Sequence, residues 1–467
     1  MRATAVDPEL DAACRIAEAK GRRGAIGLGS VLLGPSALDA LAATVARLTR
    51  SERIVVLADA TPMRRGAEPL KPLVNRLLDK VGTVCPVVLG PADGALHADA
   101  DSVGRAAEVA RGAGCVVSVG SGTVTDIGKE AARLAGLPLV AVQTAASVNG
   151  FADGMAVILK GGVKRTVTST WPAALVVDTQ ILADAPPAMT AAGFGEMMSM
   201  FTAPADWRLA GLAGTDDSYD PAIVDLFRPR GEMLLESAAK LSRGDEAALT
   251  LLARLLTASG LAMGAAGRTA PLSGMEHLIS HLLDMSAAAD GRRVGLHGAQ
   301  VGAAALVAAC LWERLLDRLD PGDLDRPVPP DAPMRAEIDA RFSALDPSGK
   351  MAAECWSDYR RKLATWRQSG EKRREFAKLW GAQKAELAAL VGTPAAIAAG
   401  LAAAGAPRRF SELDPPVTAV RARWAVASCH LMRDRFTIAD LAFLAGRWND
   451  NDIDAVLQRA AYLGGGP

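Results

Sequence analysis

Three of the five histidines in this chain fall within 21 residues of one another. His277 and His281 are four residues apart, so a helix would present both on one face. His297 follows at the start of the next helical pattern. Imidazole is a common ligand of Zn²⁺, Ni²⁺ and Fe²⁺, and a catalytic site leaves one coordination position for substrate or water. The cluster favours a metal site, although histidines that cap helices give the same spacing.

An acidic residue in an apolar helical segment is the next candidate ligand. Glu196 stands between Phe194 and the pair Met197-Met198. An unpaired carboxylate is costly to bury, and a metal ion offsets that cost. A carboxylate near a helix N-terminus that faces water is the alternative interpretation, and the segment alone does not separate the two.

A glycine-rich run is a candidate anion site. Residues 119–129 read VGSGTVTDIGK, follow an apolar β-branched run and open a helical pattern. Glycines let the backbone approach a ligand, the first N–H groups of the helix point at it, and the helix dipole favours an anion such as pyrophosphate. The run is neither a Walker A sequence nor G-x-G-x-x-G. An ordinary tight turn would also explain the glycines.

Asp59 ends an apolar run at residues 54–58. An acidic side chain at the end of such a strand can accept hydrogen bonds from the ribose hydroxyls of a dinucleotide. It can equally cap the turn that leads into Thr61 and Pro62. If Asp59 contacts the ribose, it favours NAD over NADP, whereas the nearby Arg64 and Arg65 would favour the 2′-phosphate of NADP.

The elements that must position these residues differ between the two halves of the chain. Continuous β-branched runs alternate with helical patterns in the first part and predict an α/β domain with a mostly parallel sheet. After about residue 185 the strand pattern nearly vanishes and helical periodicity dominates. We therefore predict an α/β dinucleotide-binding domain over residues 1–185 and an all-α domain over 186–467. The stretch 320–333, rich in proline and acidic residues, predicts a surface loop or an insertion.

Composition excludes several classes of function. Lys and Arg number 52 and Asp and Glu also 52, so the chain is neutral and a nucleic-acid-binding role is disfavoured. No run of about 18 uninterrupted apolar residues predicts a membrane span, and the first residues lack the apolar core of a signal peptide. Six scattered cysteines without a C-x-x-C pair favour reduced thiols in the cytoplasm.

The order of the motifs resembles the sn-glycerol-1-phosphate dehydrogenase family. That family belongs with glycerol dehydrogenases, iron-containing alcohol dehydrogenases and dehydroquinate synthases. The resemblance extends from about residue 20 to 445, with extra residues around 320–370. It is carried by the glycine-rich run and then by five further motifs: TAASVNGF at 144–151, AGFGE at 192–196, SGMEHLISH at 273–281, HGAQVG at 297–302 and MRDRFT at 432–437.

The resemblance implies a dehydroquinate synthase-like fold, a homodimer, an NAD or NADP cofactor and a divalent metal, with Zn²⁺ the first choice over Ni²⁺ or Fe²⁺. Glu196, His277 and His297 match the metal positions of the family. His281 and Asn149 match positions that contact substrate and are the catalytic candidates. The residues expected on the cofactor side are Asp59, Gly120, Ser121, Gly122, Thr123, Val124, Asp126, Lys129, Thr144, Ser147 and Asp153.

The chain departs from the family pattern at four positions. The dehydrogenases usually have Asp where this chain has Glu196, and Glu there is typical of the dehydroquinate synthase branch. Met200 stands where Lys is common, and Asn149 stands where Asp is usual. Asp153 replaces a small residue near the cofactor. These departures weaken the inference to one particular substrate more than they weaken the inference to the scaffold.

The most favoured function is therefore a metal-dependent, NAD(P)-linked oxidoreductase. Its expected substrate is a small phosphorylated ketone or polyol, such as dihydroxyacetone phosphate or sn-glycerol 1-phosphate. Lys164, Arg165 and Arg268 are candidate phosphate partners or plain surface cations. One alternative is a lyase or cyclase of the dehydroquinate synthase type, which reduces and reoxidises NAD within each turnover. The other is an altered relative that binds only a nucleotide or a partner.

Overall fold

The computed structural model describes residues 7–22, 24–90, 96–160 and 163–467. The chain divides into two compact units. The first comprises Met1–Gly193 and Asp225–Arg268, and the second comprises Phe194–Val224 and Thr269–Pro467. The first of these junctions lies eight residues beyond the predicted boundary at 185. The stretch Asp225–Arg268, which the sequence placed in the helical domain, instead joins the first unit.

All strands found among the described residues lie in the first unit. Their bounds are β1 Ser30–Gly34, β2 Arg53–Asp59, β3 Arg64–Arg65, β4 Glu68–Pro69, β5 Thr83–Leu89, β6 Cys115–Gly120, β7 Leu139–Gln143, β8 Met155–Lys160, β9 Val163–Thr168 and β10 Ala174–Asp178.

Six of these strands form one parallel sheet in the order β1-β10-β7-β6-β2-β5. The other four form two antiparallel pairs, β3 with β4 and β8 with β9. After β5 the chain crosses to the other side of β2 and forms β6. The sheet thus has a switch point between the carboxyl ends of β2 and β6, the place where ligands bind in open α/β sheets.

The helices in chain order are α1 Pro8–Ala19, α2 Leu41–Leu48, α3 Leu70–Leu78, α4 Ala100–Ala110, α5 Gly122–Ala135, α6 Thr179–Ala183, α7 Pro187–Met197, α8 Ala203–Leu212, α9 Pro221–Val224, α10 Gly231–Leu241, α11 Glu246–Ala266, α12 Met275–Ala289, α13 His297–Arg318, α14 Asp331–Phe342, α15 Lys350–Gln368, α16 Gly370–Lys378, α17 Trp380–Leu390, α18 Pro394–Ala403, α19 Ala419–Ser428, α20 Ile438–Leu444 and α21 Asp450–Tyr462. Short 3₁₀ turns connect several of them.

Alternate side chains of the central strands enter two hydrophobic cores. Ile54 and Val56 of β2 pack in the core that also holds buried residues of α2 and α3. Val55 and Leu57 pack in the opposite core, with buried residues of α4 and α5. A strand that is buried on both faces needs a continuous apolar run, which explains why these strands could be read from the sequence.

Helix α11 belongs to the first unit because small residues let it approach the backbone there. A Cβ atom on Gly260 would lie 2.8 Å from the Asn149 carbonyl oxygen, and one on Gly264 would lie 2.2 Å from the Trp171 ring. Arg254 of α11 also pairs with Glu9 of α1 at 3.4 Å. Periodicity marks α11 as a helix, but it carries no information about which sheet or helix it packs against.

Three helical segments of the described chain are long and apolar enough to cross a membrane, judged by length and composition alone. They are Glu246–Ala266, His297–Arg318 and Trp380–Ala403, and 72%, 83% and 33% of their apolar windows are buried inside the protein. The third is divided between α17 and α18 by residues 391–393. That no segment spans a membrane therefore stays a prediction.

Candidate functional site

Three predicted metal ligands converge within the second unit. Glu196 lies on α7, His277 on α12 and His297 at the first position of α13. His277 Nε2 is 3.4 Å from Glu196 Oε1, and His297 Nε2 is 3.8 Å from Glu196 Oε2. One candidate ligand atom from each residue lies within 4.8 Å of the others. The geometry is that of two nitrogens and one carboxylate around a common point.

Neighbouring side chains hold both imidazoles by their Nδ1 atoms. His277 Nδ1 is 3.0 Å from Glu276 Oε1, a carboxylate oxygen that can only accept. Ser280 Oγ donates to Gln300 Oε1 at 2.7 Å and lies 3.0 Å from His297 Nδ1, from which it therefore accepts. In its neutral form, each ring is thus held with its Nε2 lone pair directed at Glu196, which is the tautomer that a metal ligand needs.

The charges of these residues also favour the binding of a cation. Glu196 is 1% exposed, and its Oε2 is a buried oxygen without a hydrogen-bond partner in the described protein. Burial alone would raise the pKa of Glu196, but the hydrogen bond and charge of His277 and the charge of His297 lower it overall. Burial lowers the pKa of His277, yet its bonds to Glu196 and Glu276 raise it to about 9. A proton or a metal ion is needed to balance the carboxylates.

His281 lies beside the three candidate ligands, one helical turn after His277. Its ring stacks on that of His297 with centroids 5.7 Å apart and planes inclined by 22°. The centroids of His277 and His281 are 6.4 Å apart. The structure therefore places this catalytic candidate next to the candidate metal site.

Glycine contacts allow α7 to reach α13. A Cβ atom on Gly195 would lie 2.3 Å from the Gly298 carbonyl oxygen and 3.4 Å from Gly302 Cα. A Cβ atom on Gly302 would lie 2.7 Å from Gly195 Cα. Since Glu196 follows Gly195 and His297 precedes Gly298, this close backbone approach sets the distance between two of the candidate ligands.

We expect Gly195→Ala to weaken metal binding by about 10-fold, because the new methyl group pushes α7 away from α13. The overpacking is also expected to destabilise the protein by about 1–3 kcal/mol. Isothermal titration with Zn²⁺ measures the affinity. Gly381→Ala is the control, since a Cβ atom at this helical glycine meets nothing within 4 Å. Unchanged affinity in Gly195→Ala would show that the helix contact does not set the ligand geometry.

The glycine-rich turn lies at the switch point of the sheet in the first unit. Gly120 ends β6 and α5 begins at Gly122. The turn after β7 lies alongside, because Thr144 N donates to the Gly120 carbonyl at 3.1 Å and Ser121 Oγ is 3.0 Å from Ser147 Oγ. The N–H groups of the first turn of α5 thus lie beside two hydroxyl-bearing residues, Thr144 and Ser147. Such N–H groups at a helix N-terminus are what an anion site requires.

Asp59 ends β2, the neighbour of β6 in the sheet. Its carboxylate accepts from Thr61 N at 3.1 Å and from Thr61 Oγ1 at 3.0 Å, so it caps the following turn. A carboxylate has further acceptor positions, and capping does not exclude a contact with ribose. Arg65 pairs with Asp39 at 2.8 Å and with the buried Asp178 at 3.1 Å.

Lys129 and Asp153, which the sequence analysis predicted on the cofactor side, form a buried ion pair. Lys129 is fully buried, and its Nζ donates to the Gly150 carbonyl at 2.6 Å, to Asp153 Oδ1 at 2.6 Å and to the Met155 carbonyl at 2.8 Å. An ammonium group has three protons, so none remains for a phosphate. The pair instead fastens the segment 150–155 to α5.

The remaining predicted residues lie at defined places in the first unit. Asp126 Oδ2 accepts from Val157 N of β8 at 3.1 Å, and Thr123 is exposed in the first turn of α5. Asn149 is half-buried after β7, Arg165 is half-buried on β9, and Arg268 is exposed after α11. The side chain of Lys164 lies outside the described part of the structure.

Sequence reasoning gave no role to three residues that support the candidate ligands. Glu276, Ser280 and Gln300 fix the two histidines, and all three are buried. Each lies inside a motif that the sequence analysis quoted for the resemblance. Their position beside the histidines was the available signal, but a hydrogen bond to a ring nitrogen becomes visible only in three dimensions.

Comparison with known proteins agrees with this fold. Residues 32–186 match the family described as iron-containing alcohol dehydrogenase. The glycerol dehydrogenase of Schizosaccharomyces pombe has the same fold, with a TM-score of 0.55, 16% identity and coverage of 93% of this chain and 92% of that one. The chain thus has the dehydroquinate synthase-like fold.

Two relatives narrow the assignment. The glycerol-1-phosphate dehydrogenase [NAD(P)+] of Natronomonas pharaonis is 32% identical over 309 residues, which are 64% of this chain and 83% of the relative. The enzyme of that name from Bacillus velezensis is 37% identical over 201 residues, which are 43% of this chain. The matched part spans 50% of the length of that relative. The chain belongs to the glycerol-1-phosphate dehydrogenase family.

Proposed function

We propose that this protein is a metal-dependent, NAD(P)-linked dehydrogenase that interconverts dihydroxyacetone phosphate and sn-glycerol 1-phosphate. The observation that carries the proposal is the convergence of Glu196, His277 and His297, with the Nδ1 atoms of both imidazoles held by Glu276 and Ser280. The glycine-rich turn at the switch point of the sheet supports a dinucleotide, and the names of the relatives support the substrate.

Glu196, His277 and His297 would hold a divalent metal, which we propose to be Zn²⁺, with Ni²⁺ or Fe²⁺ tolerated by the same ligands. When bound, the metal supplies Lewis acidity at a carbonyl oxygen, and the nicotinamide supplies the hydride. The remaining work belongs to the chain. Glu276 and Ser280 orient the two rings, and His281 holds the proton exchanged with the substrate oxygen, since imidazole exchanges protons near neutral pH.

A direct test follows NADH or NADPH absorbance after metal-loaded protein is mixed with dihydroxyacetone phosphate. Metal-dependent oxidation of the cofactor is the expected result. Unphosphorylated dihydroxyacetone is the matched control, because the proposal requires the phosphate to contribute to binding. Equal kcat/KM for the two ketones would contradict the proposed substrate class, while absence of oxidation with either would contradict the proposed reaction.

Glu196 favours one second candidate, a lyase of the dehydroquinate synthase type. Glutamate at this position is typical of that branch. Its side chain is one methylene longer than that of aspartate, and its carboxylate oxygens still face the two imidazoles here. Such an enzyme would retain NAD and produce no net change in NADH. The absorbance assay separates the two, because only a dehydrogenase consumes the cofactor in proportion to its substrate.

The cofactor preference provides a testable consequence of Asp59. We expect Asp59→Asn to raise kcat/KM for NADPH relative to NADH by roughly tenfold, about 1.4 kcal/mol, because a like charge near the 2′-phosphate is removed. Arg65 is already paired with Asp178 and cannot dominate this balance. Asp79→Asn, a change at an exposed residue after α3, is the control. An unchanged ratio would show that Asp59 only caps its turn.

The cellular compartment and the oligomeric state of the protein are also proposed. The six cysteines are all free thiols in the structure, which supports a reducing compartment such as the cytoplasm. A homodimer is proposed on the family resemblance, and the absence of a membrane span is proposed because no long uninterrupted apolar run is present in the sequence. Size-exclusion chromatography with light scattering measures the oligomeric state.

A further inference from the structure

One face of α15 is buried against the segment formed by residues 429–440, and both lie in the second unit. Helix α15 lies in the stretch around 320–370 that the resemblance leaves without a counterpart. Tyr359, Lys362 and Trp366 share this face, at spacings of three and four residues. All three are buried. We refer to them as the clamp face.

Lys362 makes the polar contacts of the clamp face. Its Nζ lies 2.6 Å from Asp440 Oδ1 and donates to the carbonyl oxygens of His430 at 2.7 Å and Arg435 at 3.2 Å. All three ammonium protons are therefore used across the 429–440 segment. Lys362 and Asp440 are 3% and 2% exposed, so the pair is shielded from solvent. A single side chain thus ties together both ends and the middle of this segment.

Aromatic contacts complete the clamp face. The rings of Trp366 and Phe436 stack with centroids 5.1 Å apart and planes inclined by 11°. The rings of Tyr359 and His430 meet edge to face at 6.3 Å. Between these contacts the backbone adopts an unusual conformation, with Arg433 at φ 60°. Contacts on both sides of Arg433 can hold this sparsely populated conformation in place.

The clamped segment contacts the start of α12, the helix that carries His277. The Arg435 guanidinium donates to the hydroxyls of Ser273 and Thr269, which lie in the turn between α11 and α12. Asp206 accepts from Met275 N at 2.8 Å and from Ile438 N at 2.9 Å, so it joins the first turn of α12 to that of α20. His277 follows Met275 by two residues.

We infer that the clamp face of α15 positions the metal-ligand helix α12, with Lys362 as the positioning residue. The chain of contacts runs from Lys362 to the backbone of Arg435, from the Arg435 side chain to Ser273, and from there into the turn that presents Glu276 and His277. This inference rests on the proposed function, because it gives the extra segment a role in holding the metal site rather than in contacting substrate.

The test compares Co²⁺ binding to Lys362→Ala and to Ile338→Ala at a temperature where both variants are folded. Ile338 is fully buried on α14 and, as an apolar side chain, offers residues 429–440 no hydrogen bond, so it serves as the matched control for lost packing. We expect Lys362→Ala to bind Co²⁺ about 10-fold more weakly, with a changed cobalt absorption spectrum. Ile338→Ala should bind as the wild type does.

Chemical rescue separates positioning from general stability. Lys362→Ala leaves room for propylamine, whose ammonium group can reach the same three acceptors, and we expect added propylammonium to restore Co²⁺ affinity. If Lys362→Ala does not fold, Trp366→Leu takes its place, without the rescue step. A loss under about threefold, or an equal loss in Ile338→Ala, overturns the inference. Wild-type protein that takes up no Co²⁺ instead contradicts the proposed function itself.

Discussion

Replacing His297 with alanine is expected to abolish the retention of a metal ion and turnover together. His297 supplies one of the two imidazole nitrogens that face Glu196 in the described part of the chain. With one nitrogen and one carboxylate left, the site no longer has the three protein ligands of a catalytic metal. Loss of about 4 kcal/mol of Lewis-acid stabilisation corresponds to a fall in kcat of roughly 10³-fold. Metal content by mass spectrometry and NADH oxidation with dihydroxyacetone phosphate measure the two quantities.

His97→Ala is the matched control for this substitution, because His97 is an exposed histidine of the first unit. It should keep both metal and activity. Full activity in His297→Ala would exclude His297 as a ligand. Full metal retention with lost activity would instead assign His297 to substrate binding, which contradicts the ligand set argued from the tautomers.

Lys129→Met is expected to cause the largest loss of stability in the first unit. The substitution leaves Asp153 buried at 4% exposure without its cation and frees the carbonyls of Gly150 and Met155. Removing one partner of a buried ion pair costs about 3–5 kcal/mol. Hydrogen exchange of the Met155 amide, which donates to Asp153 Oδ1 at 2.9 Å, reports the local opening free energy.

The double variant Lys129→Met with Asp153→Asn tests the cause of that loss. Removing both charges should recover part of the stability, because the buried carboxylate is then no longer unpaired. If the stability losses of the two single variants simply add in the double variant, the ion pair is not the cause of the loss. If folded Lys129→Met keeps its cofactor affinity, Lys129 serves to hold the segment 150–155. If cofactor affinity falls while the structure is unchanged, Lys129 contacts the cofactor.

The sequence predicted the fold class well where a strand is buried on both faces. The runs at 54–58, 115–119 and 174–178 became central or near-central strands of the parallel sheet. It did not predict β1 or the hairpin of β8 and β9. The first is five residues long and begins and ends with Ser30 and Gly34. In the hairpin, β8 reads MAVILK and is apolar, but β9 reads VKRTVT and has no continuous apolar run. Short or one-sided strands leave a weak periodic signal.

The candidate site was predictable to the extent that its residue types are rare and its motifs lie close in sequence. His277, His281 and His297 stand out for that reason, and the structure brings them together with Glu196. The buried pairs of Lys129 with Asp153 and of Lys362 with Asp440 could not be read in this way. Their partners are 24 and 78 residues apart, and a lysine in a helical pattern looks the same whether it is solvated or buried.

Metal removal and reloading is the measurement that tests the central claim most directly. The protein is stripped with a chelator, and NADH oxidation with dihydroxyacetone phosphate is then followed as Zn²⁺ is added in steps. The account predicts no turnover in the stripped protein and a linear recovery that ends at one metal ion per chain. Full turnover by stripped protein of verified metal content would contradict the claim that Glu196, His277 and His297 hold a catalytic metal.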